Sequence, residues 1–270
     1  MNLNSPIKLS KQQLSLIGQI IGLLLFIQLL SGLIGLGMRG VDDQILDYES
    51  KVIIIHTSIV FLFTPAIIYL IKAWSVDFSF RQTPFSLKTL GIITLIGIST
   101  FFLANIFHIV HFVNTLLENA LVFDVFKIRK PIGSNSLYYT DLLLVIIFGP
   151  IIEEILYRKL IFEKLKTVFK VGISIVITSI LFAAMHLSLN GFFQFLFAGF
   201  VLTYTYHLTH NLLLNIIFHS LLNVLFYLFE RSEIAFSHRA ILMCVCFYII
   251  CGVTLYQSLK YLKIQKTKMR

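Results

Sequence analysis

"LLLVIIFGPIIEEILYRKL", residues 142–160, begins as an unbroken apolar run and turns charged halfway along, at Glu153, Glu154 and Arg158. On a helix Glu154 and Arg158 are i and i+4. They share a face in the favourable acid-before-base order. Glu153 sits about 100° further round. Arg158 can therefore neutralise one carboxylate while the other stays available. Pro150 has no N–H, so the carbonyl of Ile146 loses its helical donor one turn before the acids. A plainer reading makes all three charges the interfacial end of a membrane helix.

The rest of the chain makes the membrane setting hard to avoid. Of 270 residues, 57% are hydrophobic and 13% charged, with a mean hydropathy of +0.88. Soluble domains are close to one-quarter charged. Charge-free runs of about 18 or more apolar residues read as transmembrane helices. The pattern predicts an all-α, polytopic helical bundle of about eight membrane helices. They fall near 13–38, 52–74, 89–114, 138–160, 171–189, 192–208, 211–229 and 240–259. Residues 1–137 would form three helices without a motif, 138–229 a core, and 230–270 a last helix with a basic tail. The run from Leu14 to Met38 is too long for a signal-peptide core and reads as the first anchor.

The net charge of +9 suits lipid rather than nucleic acid, because the cations lie between apolar runs and at the end. With both termini in the cytoplasm, fifteen of the 22 Lys and Arg residues fall on the inner side. That bias favours this orientation. Cys244, Cys246 and Cys251 share the last apolar run without a C-x-x-C spacing and read as free thiols.

Ionisable groups in hydrocarbon are costly, so each is a functional candidate. "LFAAMHLSLNG" places Phe182 and His186 at i and i+4. "NIIFHSLLNVLF" does the same for His219 and Asn223. Taken singly, each has a bland alternative: a histidine bonded to a neighbouring helix, or polar glue between helices. Depth links them. Glu153 and His186 each lie about 16 residues, roughly 24 Å, from a basic turn near residue 169. His219 comes about 14 Å after the "HLTHN" turn on the same side. The three match if the 169 turn projects into the cytosol, and "SLNG" (188–191) then turns inside the protein. Such a set can activate water and polarise a carbonyl, hold a cation, or relay protons.

"EEILYR", "FAAMH" and "HSLLN" resemble the E-E-x-x-x-R, F-x-x-x-H and H-x-x-x-N motifs of the CAAX protease and bacteriocin-processing (CPBP) family, in that family's order. The resemblance covers about residues 140–229. It implies an intramembrane endopeptidase in which Glu153 activates water with help from His186. His219 and Asn223 would then stabilise the oxyanion, and Glu154 and Arg158 would be the supporting pair. It also implies a peptide or membrane-protein substrate, lipidated or carrying a leader, in a multi-pass membrane protein. A divalent metal such as zinc on Glu153, His186 and His219 is one version of the chemistry, and a metal-free glutamate mechanism is the other.

H-E-x-x-H and G-x-G-D motifs are absent, and "GIST" (97–100) lacks the last glycine of G-x-S-G. His108/His111 and His207/His210 lie near predicted helix ends and read as interfacial. Asp141 reads as a cap, and Tyr157 is i+4 from Glu153 and within reach of it. Two other functions stand beside the protease: a non-catalytic scaffold or self-immunity protein of the same fold, and a proton- or ion-coupled transporter.

Overall fold

The computed structural model describes residues 9–41, 48–74, 83–105, 127–128, 142–189, 191–230, 232–233 and 238–268. Among them are eight helices: α1 Lys11–Arg39, α2 Tyr48–Trp74, α3 Leu87–Ala104, α4 over 142–165, α5 Val171–Met185, α6 Phe192–Thr209, α7 Leu212–Glu230 and α8 His238–Lys268. A two-residue antiparallel pairing of Lys127–Ile128 with Ser232–Glu233 is the one strand contact among the described residues. α1 and α3 are long and apolar enough to cross a membrane by length and composition, while α5 and α7 are shorter apolar helices. His108, His111 and Asp141 lie outside the described residues.

α4 is the axis of the bundle. Residues Leu156 to Phe162 are all buried, including Arg158 and Lys159. It is not a uniform α-helix. Leu144–Phe148 and Ile155–Phe162 are π-helical, on either side of an α-helical Gly149–Glu154. This changes which carbonyl the proline frees. The Gly149 N–H donates five residues back, to Leu144. In that register the next carbonyl, that of Val145, looks to Pro150, which has no N–H. The expectation for Ile146 is thus off by one residue. Asn223 Nδ2 takes up the freed Val145 carbonyl at 2.8 Å.

Three helices end elsewhere than their apolar patterns suggest. α3 stops at Ala104, short of residue 114, where the Asn105 amide turns back to donate to the Phe101 carbonyl. α5 stops at Met185, because His186 turns back on Phe182 and Leu187 adopts a left-handed φ of 49°. Its 15 residues span about 22 Å, less than the roughly 30 Å of bilayer hydrocarbon. The turn that follows is not enclosed by protein, contrary to expectation. Leu187 and Leu189 project from the bundle, and among the described residues of the turn only Gly191 is buried. α8 runs on to Lys268 instead of ending near 259. Cys251, Leu255, Ser258 and Leu262 give it a buried stripe at helical spacing.

Polar ties gather several turns at one end of the bundle. Gln13 Nε2 donates to the Val168 carbonyl at 2.8 Å. Thr83 donates to the Thr209 carbonyl through both its N–H and its hydroxyl, and Asn211 Nδ2 returns a bond to Thr83. Lys266 Nζ donates to the His207 carbonyl, capping the end of α6.

His210 closes α6 in the left-handed region, at φ 50°. It stands 3.9 Å from Glu163, yet burial pushes its pKa down to about 4, so at neutral pH this is no ion pair. A non-glycine residue in that conformation costs about 1–2 kcal/mol. His210→Gly is therefore expected to raise Tm at pH 7. The unfolded-state pKa is about 6.5. The wild type loses stability as pH falls from there towards 4, since only the unfolded chain takes up that proton readily. The advantage of His210→Gly should widen over the same window, as thermal scans from pH 7.5 to 4.5 would show.

Candidate active site

α4 and α7 run antiparallel, and their facing side chains form a ladder. Asn215, His219 and Asn223 stand at i, i+4 and i+8 on α7. Asn223 meets Val145, as above. One helical turn apart, His219 and Asn215 both meet Glu154.

Glu154 is the hub of this ladder. It is fully buried, and two hydrogen-bond donors and one cation converge on it. His219 Nδ1 donates to Oε1 at 2.8 Å, and Asn215 Nδ2 donates to Oε2. Arg158 Nη1 lies 2.8 Å from Oε1, with both residues fully buried. That last contact is short but off the N–H direction, so it is an ion pair rather than a directed hydrogen bond. The guanidinium instead lies 4.6 Å from the Phe182 ring centroid. A carboxylate only accepts, so His219 must carry its proton on Nδ1, and Nε2 is turned to the other side.

On that other side is Glu153. Its Oε2 lies 3.8 Å from His219 Nε2. This oxygen is shielded from solvent and has no hydrogen-bond partner among the described residues, although Glu153 as a whole is 30% exposed. Adjacent acids thus have opposite surroundings. The 100° step between them puts one carboxylate in the core, saturated with donors, and leaves its neighbour unsatisfied beside an imidazole.

His186 reaches the same region from the end of α5. Its Nδ1 is 2.8 Å from the Phe182 carbonyl, which can only accept, so here too Nε2 is left over. The ring stacks on Phe195, with centroids 3.9 Å apart and an interplanar angle of 21°. Phe182 sits between the two imidazoles, 4.7 Å from His186 and 5.6 Å from His219 by ring centroids. The structure thus gathers all six sequence candidates, Glu153, Glu154, Arg158, His186, His219 and Asn223. It adds Asn215, whose signal was its position four residues before His219. It also adds Phe195, which no spacing marked. Tyr157 is buried beside them, but its hydroxyl has no hydrogen-bond partner among the described residues, Glu153 included.

Among the described residues, no three His, Cys, Asp or Glu side chains come together as a metal ion would need. Glu153 and His219 approach each other, but His219 Nδ1 is committed to Glu154 and His186 stands beyond Phe182. As arranged, the Glu153, His186 and His219 set does not make a three-ligand cage for zinc.

Phe182 has little freedom to move, being held by Arg158 and both histidines. A Cβ on Gly199 of α6 would come within 2.9 Å of its Cδ1. Gly199→Val is expected to cost about 1–3 kcal/mol by overpacking and to slow any reaction at the site. Gly172→Ala, with nothing near its Cβ, is the neutral control. Thermal denaturation and catalytic rate, measured on both variants, would check this.

Residues 135–225 match the family model described as Rce1-like, type II CAAX prenyl endopeptidase. The matched segment holds the whole ladder from Val145 to Asn223. This match supports a resemblance of the segment to the CAAX protease (CPBP) family, whose members are integral membrane proteases. Searches of curated proteins and of solved structures gave no match.

Proposed function

We propose that the protein is an intramembrane endopeptidase in which Glu153 activates the hydrolytic water. The observation that carries this is the contrast between the two acids. Glu154 is spent on Arg158, His219 and Asn215, whereas Glu153 Oε2 has no donor among the described residues and faces His219 Nε2. An unsatisfied carboxylate oxygen in a low-dielectric site is a ready acceptor for a water proton.

In this reading Glu153 takes a proton from water as the oxygen attacks the scissile carbonyl. It then hands the proton to the departing amine, so that peptide and water become an acid and an amine. Glu154 holds the His219 ring at Nδ1; His219 would take up a second proton from solvent at Nε2, with Glu154 as counter-charge, and so donate to the oxyanion. The Asn223 amide has two N–H groups. Val145 occupies one, and the second serves the same oxyanion. His186 assists at the water.

The eight helices would cross the plasma membrane with both termini in the cytoplasm. The cation bias supports this. So does the gathering at one end of Gln13, Thr83, Val168, Thr209 and Lys266, all from segments assigned to the inner side. The substrate would be a membrane-associated peptide, lipidated or carrying a leader. The test is to incubate the purified protein with lipidated and plain peptides and to identify new termini by mass spectrometry, with and without a chelator. New termini that persist with chelator support the reading. Cleavage abolished by chelator and restored by zinc would replace it with a metal mechanism. Tight peptide binding without cleavage would favour a scaffold or immunity role.

A further inference from the structure

α1 supplies no side chain to the Glu153 site, but it touches that site's backbone. Its buried stripe, Leu16, Ile20, Leu24 and Ile27, packs into the core. A glutamine marks each end of the stripe. Gln13 Nε2 donates to the Val168 carbonyl just before α5 begins, and Gln28 Nε2 donates to the Met185 carbonyl where α5 stops. Fifteen residues separate the glutamines, about 22 Å, which is the length of α5. The two helices run parallel with one amide at each end.

The carbonyls at the end of a helix have no intrahelical partner, and at α5 each of the last four is accounted for. Phe182 accepts from the His186 ring at 2.8 Å. Ala183 accepts from the His186 N–H and Ala184 from the Leu187 N–H, both at 3.2 Å. Met185 accepts from Gln28 alone among the described residues. Immediately afterwards the chain enters the left-handed conformation at Leu187, φ 49°, which an L side chain adopts only when its surroundings hold it there. The Met185–His186 peptide plane sets the direction of the imidazole, and the one side chain among the described residues that holds this plane comes from outside the matched segment.

We propose that Gln28 is a positioning residue for His186. Its amide locks the last peptide plane of α5 and so fixes where Nε2 of the imidazole points. The proposal rests on reading His186 as part of the hydrolytic site. An amide is the suitable group here, because it donates to a carbonyl inside the membrane without bringing a charge.

The test compares Gln28→Met with Gln13→Met. Each removes one bond from α1 to a backbone carbonyl and keeps the side-chain length, but only the first lies at the site. For Gln28→Met, kcat is expected to fall about 10- to 100-fold with KM within about twofold. Backbone hydrogen exchange over 186–191 and carbethoxylation of His186 should rise several-fold. Gln13→Met should match the wild type in all of these while losing a comparable amount of Tm. If Gln28→Met does not accumulate, Gln28→Asn, whose amide falls one methylene short, takes its place. Equal kcat, exchange and labelling in the two variants would overturn the proposal. Should the wild type cleave no peptide, the endopeptidase reading fails, and exchange and labelling still decide whether Gln28 holds His186.

Discussion

Glu153→Gln is expected to lose peptide hydrolysis by about 10²- to 10⁴-fold, the usual worth of a general base, while the protein folds and inserts as before. The substitution keeps the size and hydrogen-bonding shape of the side chain but removes the basic oxygen. Little else in the bundle depends on that oxygen, since Oε2 has no hydrogen-bond partner among the described residues and only a 3.8 Å approach to His219. Tm should therefore stay within a few degrees of the wild type. A large drop in Tm alongside the loss of activity would instead make Glu153 a structural group.

Arg158→Met is expected to show the reverse pattern, with a stability loss of about 3–5 kcal/mol, typical when one partner is removed from a buried ion pair. Glu154 would keep His219 and Asn215 as donors but would lose its counter-charge in a fully buried position. Methionine fills much of the arginine volume, so the deficit is electrostatic rather than a cavity. Adding Glu154→Leu should return part of the loss, because the uncompensated charge disappears. Recovery should stay incomplete, since His219 Nδ1 and Asn215 Nδ2 would then lack an acceptor, at about 1–3 kcal/mol each. Denaturation of the two single variants and the double variant gives the coupling energy directly. Additive losses would contradict the buried pair.

Much of this architecture is legible in the residues. The apolar runs mark where each described helix lies, and the i, i+4 spacings in "EEILYR", "FAAMH" and "HSLLN" identify the polar faces that meet. Spacing describes a helix's own face, however, and not what lies opposite. Nothing in "HSLLN" says that His219 Nδ1 goes to Glu154, or that Asn223 ties down Val145. The π register of 144–148 is equally hidden, because over one turn an apolar run looks the same with bonds four or five residues back. For that reason the orphaned carbonyl falls on Val145 rather than Ile146. Gln28 escapes attention because an uncharged amide hardly disturbs the hydropathy of the run from Leu14 to Met38. Its meaning lies in a helix end 157 residues away in sequence. The early end of α5 is similarly tertiary, since Leu187 and Leu189 would continue the apolar pattern had His186 not turned back onto Phe182.

The division of labour between adjacent acids is best tested by measuring cleavage of one quenched peptide library by wild type, Glu153→Gln and Glu154→Gln, each assayed in detergent beside its own thermal denaturation curve. The account predicts that Glu153→Gln is inactive with a normal Tm, and that Glu154→Gln is unstable, its buried Arg158 left without a counter-charge. Cleavage by Glu153→Gln at the wild-type rate, or a stable but inactive Glu154→Gln, would show that the roles of the two carboxylates have been assigned the wrong way round.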